Sequence, residues 1–368
     1  MITKKKTLIK PEEKVGVDVF SGAGGLSLGA EMAGIDVRYA VEIWPSAAKT
    51  YKRNHQKAIV FNQDINYIEP KDRIKEHVFI IMGGPPCQGF SMSNQRREEH
   101  GRTMENPKNH LFKQFVRFVR DLQPDWFLFE NVEGIVNVEK GAVIEMICQS
   151  FRDLGYTISE PTILWANDYG VPQKRNRCFI VGNRVGVDFK FPQPFDNEVT
   201  VGDAIADLPK LKSGDNLAET PYTLSLDECS PYARLMRERS LYSTQNQVSL
   251  NSPLVLERYK YIKQGENWSS IPERLMMNYK DKGRCHSGIY KRLREDTPSV
   301  VISNYRKMML IHPTQDRGLS VREAARLQSF PDDFYFEGPI SHIQQQIGNA
   351  VPPLLAKAIV QQILSYYE

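Results

Sequence analysis

The chain has 368 residues, of which 41% are hydrophobic and 25% charged, and its formal net charge is +4. This length allows two domains, and the composition is that of an ordinary soluble globular protein. No apolar run reaches membrane-spanning length, and the basic stretch 1–10 lacks the apolar core of a signal peptide. These features argue against a membrane or secreted protein and favour a cytosolic one.

The five cysteines are dispersed, without the paired spacing of a disulfide framework or of a zinc site. We therefore expect reduced thiols and no bound metal. The cysteines are Cys87, Cys148, Cys178, Cys229 and Cys285.

Positive charge is concentrated in residues 230–320, which hold 16 Lys and Arg against 8 Asp and Glu. This segment carries +8, so the rest of the chain carries −4 of the net +4. A basic segment in an otherwise acidic chain suggests that one lobe meets a polyanion, although a solvated surface of mixed charge is the alternative.

Strand and helix signals alternate from the start of the chain, which predicts a parallel sheet with crossover helices. The first unit is a strand over 15–20, a glycine-rich turn over 21–25 and a helix over 26–33. Such a unit opens many nucleotide-type binding sites. The turn alone is a weak signal, because Ser27 replaces the third glycine of a dinucleotide motif and no P-loop motif is present.

Acidic residues follow the next two predicted strands. Glu42 follows the strand 37–41, where it is placed to accept hydrogen bonds from ribose hydroxyls. Asp64 follows the strand 58–61 and could accept from an exocyclic amine such as adenine N6. Together with the glycine turn, these acids predict a cofactor that contains an adenosyl group and no phosphates.

Residues 83–91 (GGPPCQGFS) follow an apolar strand predicted over 78–82. Prolines fix φ and cannot continue a strand, while glycines allow close approach of another molecule. This setting, at the edge of the sheet where ligands bind, favours Cys87 as a nucleophile over a small buried hydrophobic residue, the commoner role of a lone cysteine. The polar segment 92–110 is expected to close on the substrate as a lid.

Glu130 ends the next buried strand, predicted over 126–129, and so should lie at the same edge as Cys87. A thiol and a carboxyl in one cleft are a candidate nucleophile and general acid; a solvent-facing Glu130 is the alternative.

Arg175 and Arg177 are two positions apart where the chain enters a later apolar strand, which predicts that both side chains point to one side of that strand. They could hold a carbonyl oxygen or a phosphate, or only be solvated at the surface.

Six segments in order resemble the motifs of the DNA cytosine-C5 methyltransferase family of bacterial or phage type. They are DVFSGAGGLSLG (18–29), GGPPCQGFS (83–91), ENV (130–132), QKRNR (173–177), REAARLQSFPDDF (322–334) and QIGNAVPPLLA (346–356). The resemblance implies an α/β fold with the Rossmann-like, mostly parallel sheet of a class I methyltransferase and a smaller target-recognition domain. It assigns 1–185 and 340–368 to the catalytic domain and 186–339 to the target-recognition domain and its scaffold, with DNA in the cleft.

The resemblance also implies the reaction. The thiolate of Cys87 would add to carbon 6 of a cytosine flipped out of duplex DNA, so that carbon 5 takes the methyl group of S-adenosylmethionine. Glu130, held partly protonated by burial, would donate to N3 and contact the 4-amino group. Arg177 would bind the O2 carbonyl and Arg175 would support the site. No side chain stands out as the base that removes the C5 proton, and water can serve.

The cofactor residues are assigned by the same resemblance: Glu42 to the ribose, Asp64 to the adenine amine and the glycine turn to the methionine and adenine side. Either Ile43 or Trp44 would cover the adenine ring. The full cofactor set is Phe20, Gly22, Ala23, Gly24, Glu42, Ile43, Asp64, Ile65, Pro86, Asn349 and Val351.

Gln88, Ser91 and Arg96 are the expected DNA contacts beside the flipped base. The stretch 186–284 matches the family's target-recognition region in position only. It contains residue types that bind base edges: Tyr222, Tyr232, Tyr242, Gln245, Asn246 and Gln247.

Three alternatives remain open on the sequence. An RNA cytosine-C5 methyltransferase of the same family is one, although that branch usually carries other residues after Cys87-Gln88. An inactive DNA-binding relative is another, although none of the expected catalytic residues is missing. A nicotinamide oxidoreductase would explain the glycine turn alone. We expect a monomer; a cognate restriction endonuclease would act separately.

Overall fold

The computed structural model describes residues 13–86, 111–278 and 288–367. The chain divides into two compact units. Unit 1 comprises Met1–Trp165, Asn176–Pro194 and Pro353–Glu368; unit 2 comprises Ala166–Arg175 and Phe195–Pro352. The two units differ from the sequence-based division, which stays a prediction, in the placement of 166–175, 186–194 and 340–352.

Unit 1 holds a mixed α/β arrangement around an eight-stranded sheet in the described part of the chain. Its strands are β1 Val15–Val19, β2 Asp36–Val41, β3 Ile59–Phe61, β4 Ile80–Gly83, β5 Trp126–Asn131, β6 Thr157–Ile158, β7 Thr162–Trp165 and β8 Asn176–Asn183. Its helices are α1 Gly25–Met32, α2 Pro45–Asn54, α3 Pro70–Arg73, α4 Phe112–Leu122 and α5 Ala142–Arg152, and later α12 Pro353–Leu364.

The sheet has the order β3-β2-β1-β4-β5-β8-β6, with β7 also paired to β8. Strands β1 to β5 pair in parallel, which confirms the mostly parallel sheet expected from the sequence. Strand β8 runs antiparallel to β5, which the alternation of strands and helices did not predict. Strands β6 and β7 also pair antiparallel to β8, and no α-helix separates these three strands in sequence.

The strand order reverses at β1, which has β2 on one side and β4 on the other. At such a switch point the connections to the strands on either side of β1 cover opposite faces, and a crevice opens at the carboxyl ends of the two central strands. In this chain those ends are the glycine turn after β1 and the Gly84-Pro85-Pro86 segment after β4. The fold therefore brings both of these sequence motifs to one edge.

The core of unit 1 is aromatic around β5, whose six residues are all buried. Helix α4 repeats apolar residues at helical spacing, and its Phe115 and Phe118 are fully buried. The Phe115 ring packs edge-on to Phe129 of β5, with 5.3 Å between centroids. This packing fixes the end of β5, which carries Glu130.

Helix α12 packs against α1 within unit 1. The two helices approach so closely at Gly29 that a β-carbon there would overlap the carbonyl of Pro353 and the side chain of Ala356. The helix that follows the glycine turn is therefore covered by residues from the far end of the sequence.

Unit 2 has shorter elements. They are α6 Val201–Ile205, β9 Asn216–Thr220, α7 Pro231–Arg237, β10 Ser243–Gln247, α8 Pro253–Tyr259, α9 Tyr305–Met308, α10 Val321–Leu327 and α11 Ile340–Asn349. Strands β9 and β10 form an antiparallel pair. Across the described part of both units, no helix has the length and apolar character needed to cross a membrane.

Candidate active site

The glycine turn follows β1 and bends through left-handed backbone conformations. Phe20, Gly22 and Gly24 have φ of 63°, 57° and 96°. Glycine adopts this region at little cost, whereas Phe20 does so against its steric preference. A β-carbon at Gly24 would also clash with the ring of His55, so this position requires glycine.

The Glu42 carboxylate lies directly against this turn. Its two oxygens accept hydrogen bonds from the backbone N–H groups of Gly22 and Trp44, each at 2.7 Å. Burial raises the pKa of Glu42, and the backbone hydrogen bonds partly oppose this rise. The turn after β1 and the end of β2 are thus joined through a side chain that keeps further lone pairs for a ligand.

Asp64 precedes a short 3₁₀ helix, Ile65–Tyr67, and its Oδ1 accepts from the backbone N–H and the side-chain amide of Asn66. In the described part of the chain, Oδ2 has no hydrogen-bond donor of its own. The predicted cofactor set also includes the isoleucine that follows each of these two acids. The two isoleucines differ in exposure: Ile43 is 63% exposed, while Ile65 is buried in the core.

A buried polar group beneath the glycine turn was missed by the sequence analysis. Asp18 Oδ2 accepts a hydrogen bond from Ser27 Oγ at 2.5 Å, and Ser27 Oγ lies 2.7 Å from the hydroxyl of Tyr51. Burial raises the pKa of Asp18 to about 7. The signal was Ser27 itself, because a serine in place of the third glycine brings a hydroxyl to the buried side of α1.

The segment after β4 begins with Gly84, Pro85 and the half-buried Pro86. Asn131, at the end of β5, donates from Nδ2 to the carbonyl of Pro85 at 3.1 Å. Four predicted site residues lie outside the described residues: Cys87, Gln88, Ser91 and Arg96.

Glu130 lies at the edge where the parallel-sheet argument put it. Strand β5 continues to Asn131 rather than ending at 129, and Gly83 of β4 is in register with Phe129. Glu130 Oε1 lies 2.8 Å from Nε of Arg177, in a largely buried ion pair. A β-carbon at Gly84 would overlap Glu130 Oε2, so the carboxyl lies against the segment that leads to Cys87.

The prediction that Arg175 and Arg177 point to one side of one strand is wrong. Strand β8 begins at Asn176, so Arg175 precedes it. Arg175 is buried in unit 2, where its guanidinium donates to the carbonyls of Ile302 and Gly348 at 3.1 and 3.0 Å. The structure brings Arg177 to Glu130, whereas Arg175 binds backbone of unit 2. Burial lowers the pKa of Arg177, and the charge of Glu130 opposes this.

Asn349 and Val351, the predicted cofactor residues from the end of the chain, lie in unit 2. Asn349 is exposed at the end of α11, and its Oδ1 accepts from Gln345 at 2.7 Å. Val351 is buried.

Four of the six candidate base-contacting residues have partners inside unit 2. The Tyr222 and Tyr232 hydroxyls donate to Asp332 Oδ2 and to the Arg326 carbonyl. Gln245 bonds the backbone of Phe336 through both ends of its amide, and Asn246 is buried against Ser243. Tyr242, in contrast, is 49% exposed. The residue types alone could not distinguish these two groups.

The fold, with carboxylates after β2 and β3 and near the end of β5, is that of a class I methyltransferase. The model of the C-5 cytosine-specific DNA methylases matches residues 15–365, and the chain belongs to this family. Methyl transfer to carbon 5 of cytosine is the reaction of the family, so the family and the reaction predicted from the sequence are confirmed.

Individual relatives agree with this assignment. The chain is 39% identical over 355 residues to the Type II methyltransferase M1.HphI of Haemophilus parahaemolyticus, covering 95% of this chain and 86% of the relative. It is 34% identical over 365 residues to M.XorII of Xanthomonas oryzae pv. oryzae, covering 95% and 84%. A crystal structure described as a DNA modification methyltransferase encoded within an E. coli prophage has a TM-score of 0.78 and 28% identity, covering 96% of this chain and 99% of that one.

Proposed function

We propose that this protein methylates carbon 5 of a cytosine within a short duplex DNA sequence, with Cys87 as nucleophile, Glu130 and Arg177 on the base, and S-adenosylmethionine as methyl donor. The observation that supports this best is the Glu130–Arg177 pair, which lies against Gly84 at the switch point of the sheet. The family, which is that of C-5 cytosine-specific DNA methylases, supports DNA as the substrate.

The chemistry requires a nucleophile on the base, because carbon 5 of cytosine is too electron-poor to attack a methyl group directly. In the proposed step the Cys87 thiolate forms a bond to carbon 6, and the electron pair of the C5–C6 double bond moves to carbon 5. Glu130 donates a proton to N3 and accepts from the 4-amino group, and Arg177 donates to O2. After methylation, the C5 proton is lost to water, the N3 proton returns to Glu130, the S–C6 bond breaks and the double bond reforms.

The ion pair defines the state from which this step begins. Without a base, Nε of Arg177 lies 2.8 Å from Oε1 of Glu130, so the carboxyl is paired with a positive charge. A cytosine presents O2 and N3 side by side. When O2 becomes the acceptor for Arg177, the carboxyl of Glu130 is released to bind N3. We therefore propose that base binding itself prepares Glu130 as an acid.

The residues around the glycine turn fit a cofactor with an adenosyl group and no phosphates. The Glu42 carboxylate accepts the hydrogen bond of the Gly22 N–H, which a pyrophosphate would otherwise bind. The negative charge of Glu42 would also repel a pyrophosphate. Glu42 would hold ribose hydroxyls and Asp64 Oδ2 would accept from the adenine amine. When bound, S-adenosylmethionine supplies an electrophilic methyl group carried on a positively charged sulfur, whose charge the acidic surroundings favour.

Several parts of the proposal concern DNA. The target base must leave the helix, since a stacked cytosine cannot present carbon 6 to a thiol. Gln88, Ser91 and Arg96 would contact the DNA around the vacated position. The protein would act as a monomer, and a restriction endonuclease of the same sequence specificity would act separately.

The test is incubation with methyl-labelled S-adenosylmethionine and duplex DNA, followed by mapping of the modified cytosines. We expect 5-methylcytosine at one short sequence, and no transfer by Cys87→Ala. Label in transfer RNA but not in DNA would instead establish the RNA-modifying alternative. Tight DNA binding without transfer to either would establish an inactive relative.

A further inference from the structure

Asn131 is the residue of unit 1 whose contacts point to an unassigned role. It is the last residue of β5, and its side chain is 3% exposed. Its Nδ2 donates to the Pro85 carbonyl at 3.1 Å, and its Oδ1 accepts from the N–H of Val132 at 2.9 Å. The two contacts fix the orientation of the amide, because the reversed amide would set N–H against N–H and oxygen against oxygen.

Pro85 lies in a segment where two consecutive prolines limit the backbone hydrogen bonds that can be made. Neither Pro85 nor Pro86 has a backbone N–H, so hydrogen bonds to this pair can be made only through their carbonyls. The carbonyl of Pro85 receives its donor from Asn131. Two residues further along the chain is Cys87.

The neighbouring residue of β5 contacts the same segment. Glu130 Oε2 lies where a β-carbon of Gly84 would be, so the backbone of Gly84 lies against the carboxyl. Consecutive residues of β5 therefore contact consecutive residues of the segment after β4: Glu130 at Gly84 and Asn131 at Pro85. One strand end therefore contacts both Gly84 and Pro85.

We propose that Asn131 is a positioning residue for the nucleophile. By holding the Pro85 carbonyl, it sets the direction in which the chain delivers the Cys87 thiolate to carbon 6 of the cytosine. The proposal rests on the function proposed for Cys87. Asn131 is buried and its amide bonds the backbone at both ends, so its loss should slow bond formation without weakening binding of the DNA or the cofactor.

The test uses the full-length protein with Asn131→Ala and Asn131→Asp, and duplex DNA that carries 5-fluorocytosine at the mapped target. The fluorine cannot leave as the C5 proton does, so the covalent adduct accumulates and its rate can be measured. We expect adduct formation and kcat to fall about 10- to 100-fold in Asn131→Ala, the effect of misplacing a reacting group by a fraction of an ångström to one ångström. KM for DNA and Kd for S-adenosylmethionine should change less than about twofold.

Asn131→Asp separates positioning from simple loss of packing. Its carboxylate has nearly the shape of the amide but sets an oxygen against the Pro85 carbonyl. The variant should be as slow as Asn131→Ala at pH 8. It should recover part of its adduct rate, relative to wild type at each pH, as the pH falls and the carboxyl gains a proton that it can donate. A parallel pH dependence of Asn131→Asp and wild type would overturn the proposal.

Asn183 supplies a matched control at the opposite end of the sheet, where it pairs with Trp126 at the start of β5. Its amide bonds both the carbonyl and the N–H of Val187, at 2.9 and 3.0 Å. Asn183→Ala should lower stability yet keep the adduct rate per folded molecule. Equal losses of adduct rate in Asn183→Ala and Asn131→Ala would refute a specific role.

A Cys87→Ser variant separates this proposal from the proposed function. If Cys87→Ser still methylates DNA, the proposed function fails. If Cys87→Ser is inactive while Asn131→Ala keeps the wild-type adduct rate, only the positioning role fails.

Discussion

Unit 1 pairs its buried Asp18 carboxyl with a hydroxyl group, whereas unit 2 pairs Glu323 and Asp332 with arginines. In unit 1, Ser27 donates to Asp18 and burial raises the pKa of that carboxyl to about 7. In unit 2, burial alone would raise the pKa of Glu323, but the charges of Arg317 and His312 hold it at about 2. The same residue class is thus close to changing its protonation in one unit and fixed as an anion in the other.

The ion pairs of unit 2 are also more extensively connected. Arg326 lies 2.5 Å from Asp207 and 2.6 Å from Asp332, and all three side chains are fully buried. Burial would raise the pKa of Asp332, but Arg326 lowers it on balance. Such a network can hold short elements together, but it cannot exchange partners with a ligand without leaving a buried charge unpaired. We infer that its charges are structural, while those of unit 1 remain available for chemistry.

The largest expected effect is on Arg326. Arg326→Ala leaves Asp207 and Asp332 buried without their shared cation, which should lower the free energy of unfolding by about 3–5 kcal/mol. Denaturant unfolding followed by circular dichroism measures this. Arg120→Ala is the control, because Arg120 pairs with Asp121 on the surface and should contribute little. Equal effects of the two substitutions would remove the distinction between the units.

Glu130→Gln tests the opposite side of the comparison. The amide keeps the shape of the side chain but cannot transfer a proton to N3, so kcat should fall about 100-fold or more. It also leaves the largely buried Arg177 without its counter-charge, so the unfolding free energy should fall too, but less than in Arg326→Ala because the amide oxygen can still accept from Nε. Single-turnover methyl transfer and thermal unfolding of the same samples measure both quantities. An active Glu130→Gln enzyme with strongly reduced stability would show that this pair, too, is structural.

Asp18→Asn tests the raised pKa. The folded state binds a proton more tightly than the unfolded state, so Asp18 contributes stability that is present below about pH 4 and is lost as the pH rises to about 7. The variant should therefore gain stability relative to wild type, on the order of 4 kcal/mol, as the pH rises across this range. Unfolding at a series of pH values measures the difference, and a constant difference would contradict the raised pKa.

His312 in unit 2 should give the opposite trend. Burial lowers the pKa of His312 to about 4, so it contributes stability that is present above about pH 6.5 and is lost as the pH falls toward 4. In Asp18→Asn protein, where the opposing contribution is removed, the acid loss should be easier to detect.

The smallest expected effect is on Tyr222. Its hydroxyl donates to Asp332 at 2.6 Å, and the guanidinium of Arg237 lies 3.7 Å from its ring centroid. Tyr222→Phe keeps the ring and removes the hydrogen bond, which should cost about 1–2 kcal/mol because a buried carboxylate loses a donor. Tyr67→Phe is the control, since Tyr67 is 82% exposed. A stabilised Tyr222→Phe variant would contradict the account of this network.

The sequence predicted those features of the site that depend on the sheet alone. Parallel strands present their carboxyl ends at one edge, so Glu42 and Glu130 could be assigned to it from the order of the strands. The pairing of Gly22 with Glu42, and of Glu130 with Arg177, depends on side-chain positions that no periodicity contains. The roles of these residues in catalysis stay predictions.

Predictions from the sequence were wrong where segments distant in the sequence determine which side chains are buried. Arg175 and Arg177 have strand spacing, but β8 begins between them, and element boundaries are the least certain part of a pattern-based prediction. Gln245 has the residue type of a base contact, but Phe336, from a distant part of the sequence, occupies its amide. Ser27 appeared only as a departure from a glycine motif, while its hydroxyl belongs to the buried Asp18 group.

The packing of α12 on α1 has a consequence for the order in which a nascent chain acquires activity. The ribosome makes the glycine turn and α1 early, but the residues that cover α1 at Gly29 are added after nearly all of unit 2. We expect stalled chains that end before Pro353 to leave α1 open to protease and to bind S-adenosylmethionine poorly; protection of α1 in such chains would contradict this. An incomplete chain would then be inactive, and it would not methylate DNA before the part of the protein that sets sequence specificity is complete.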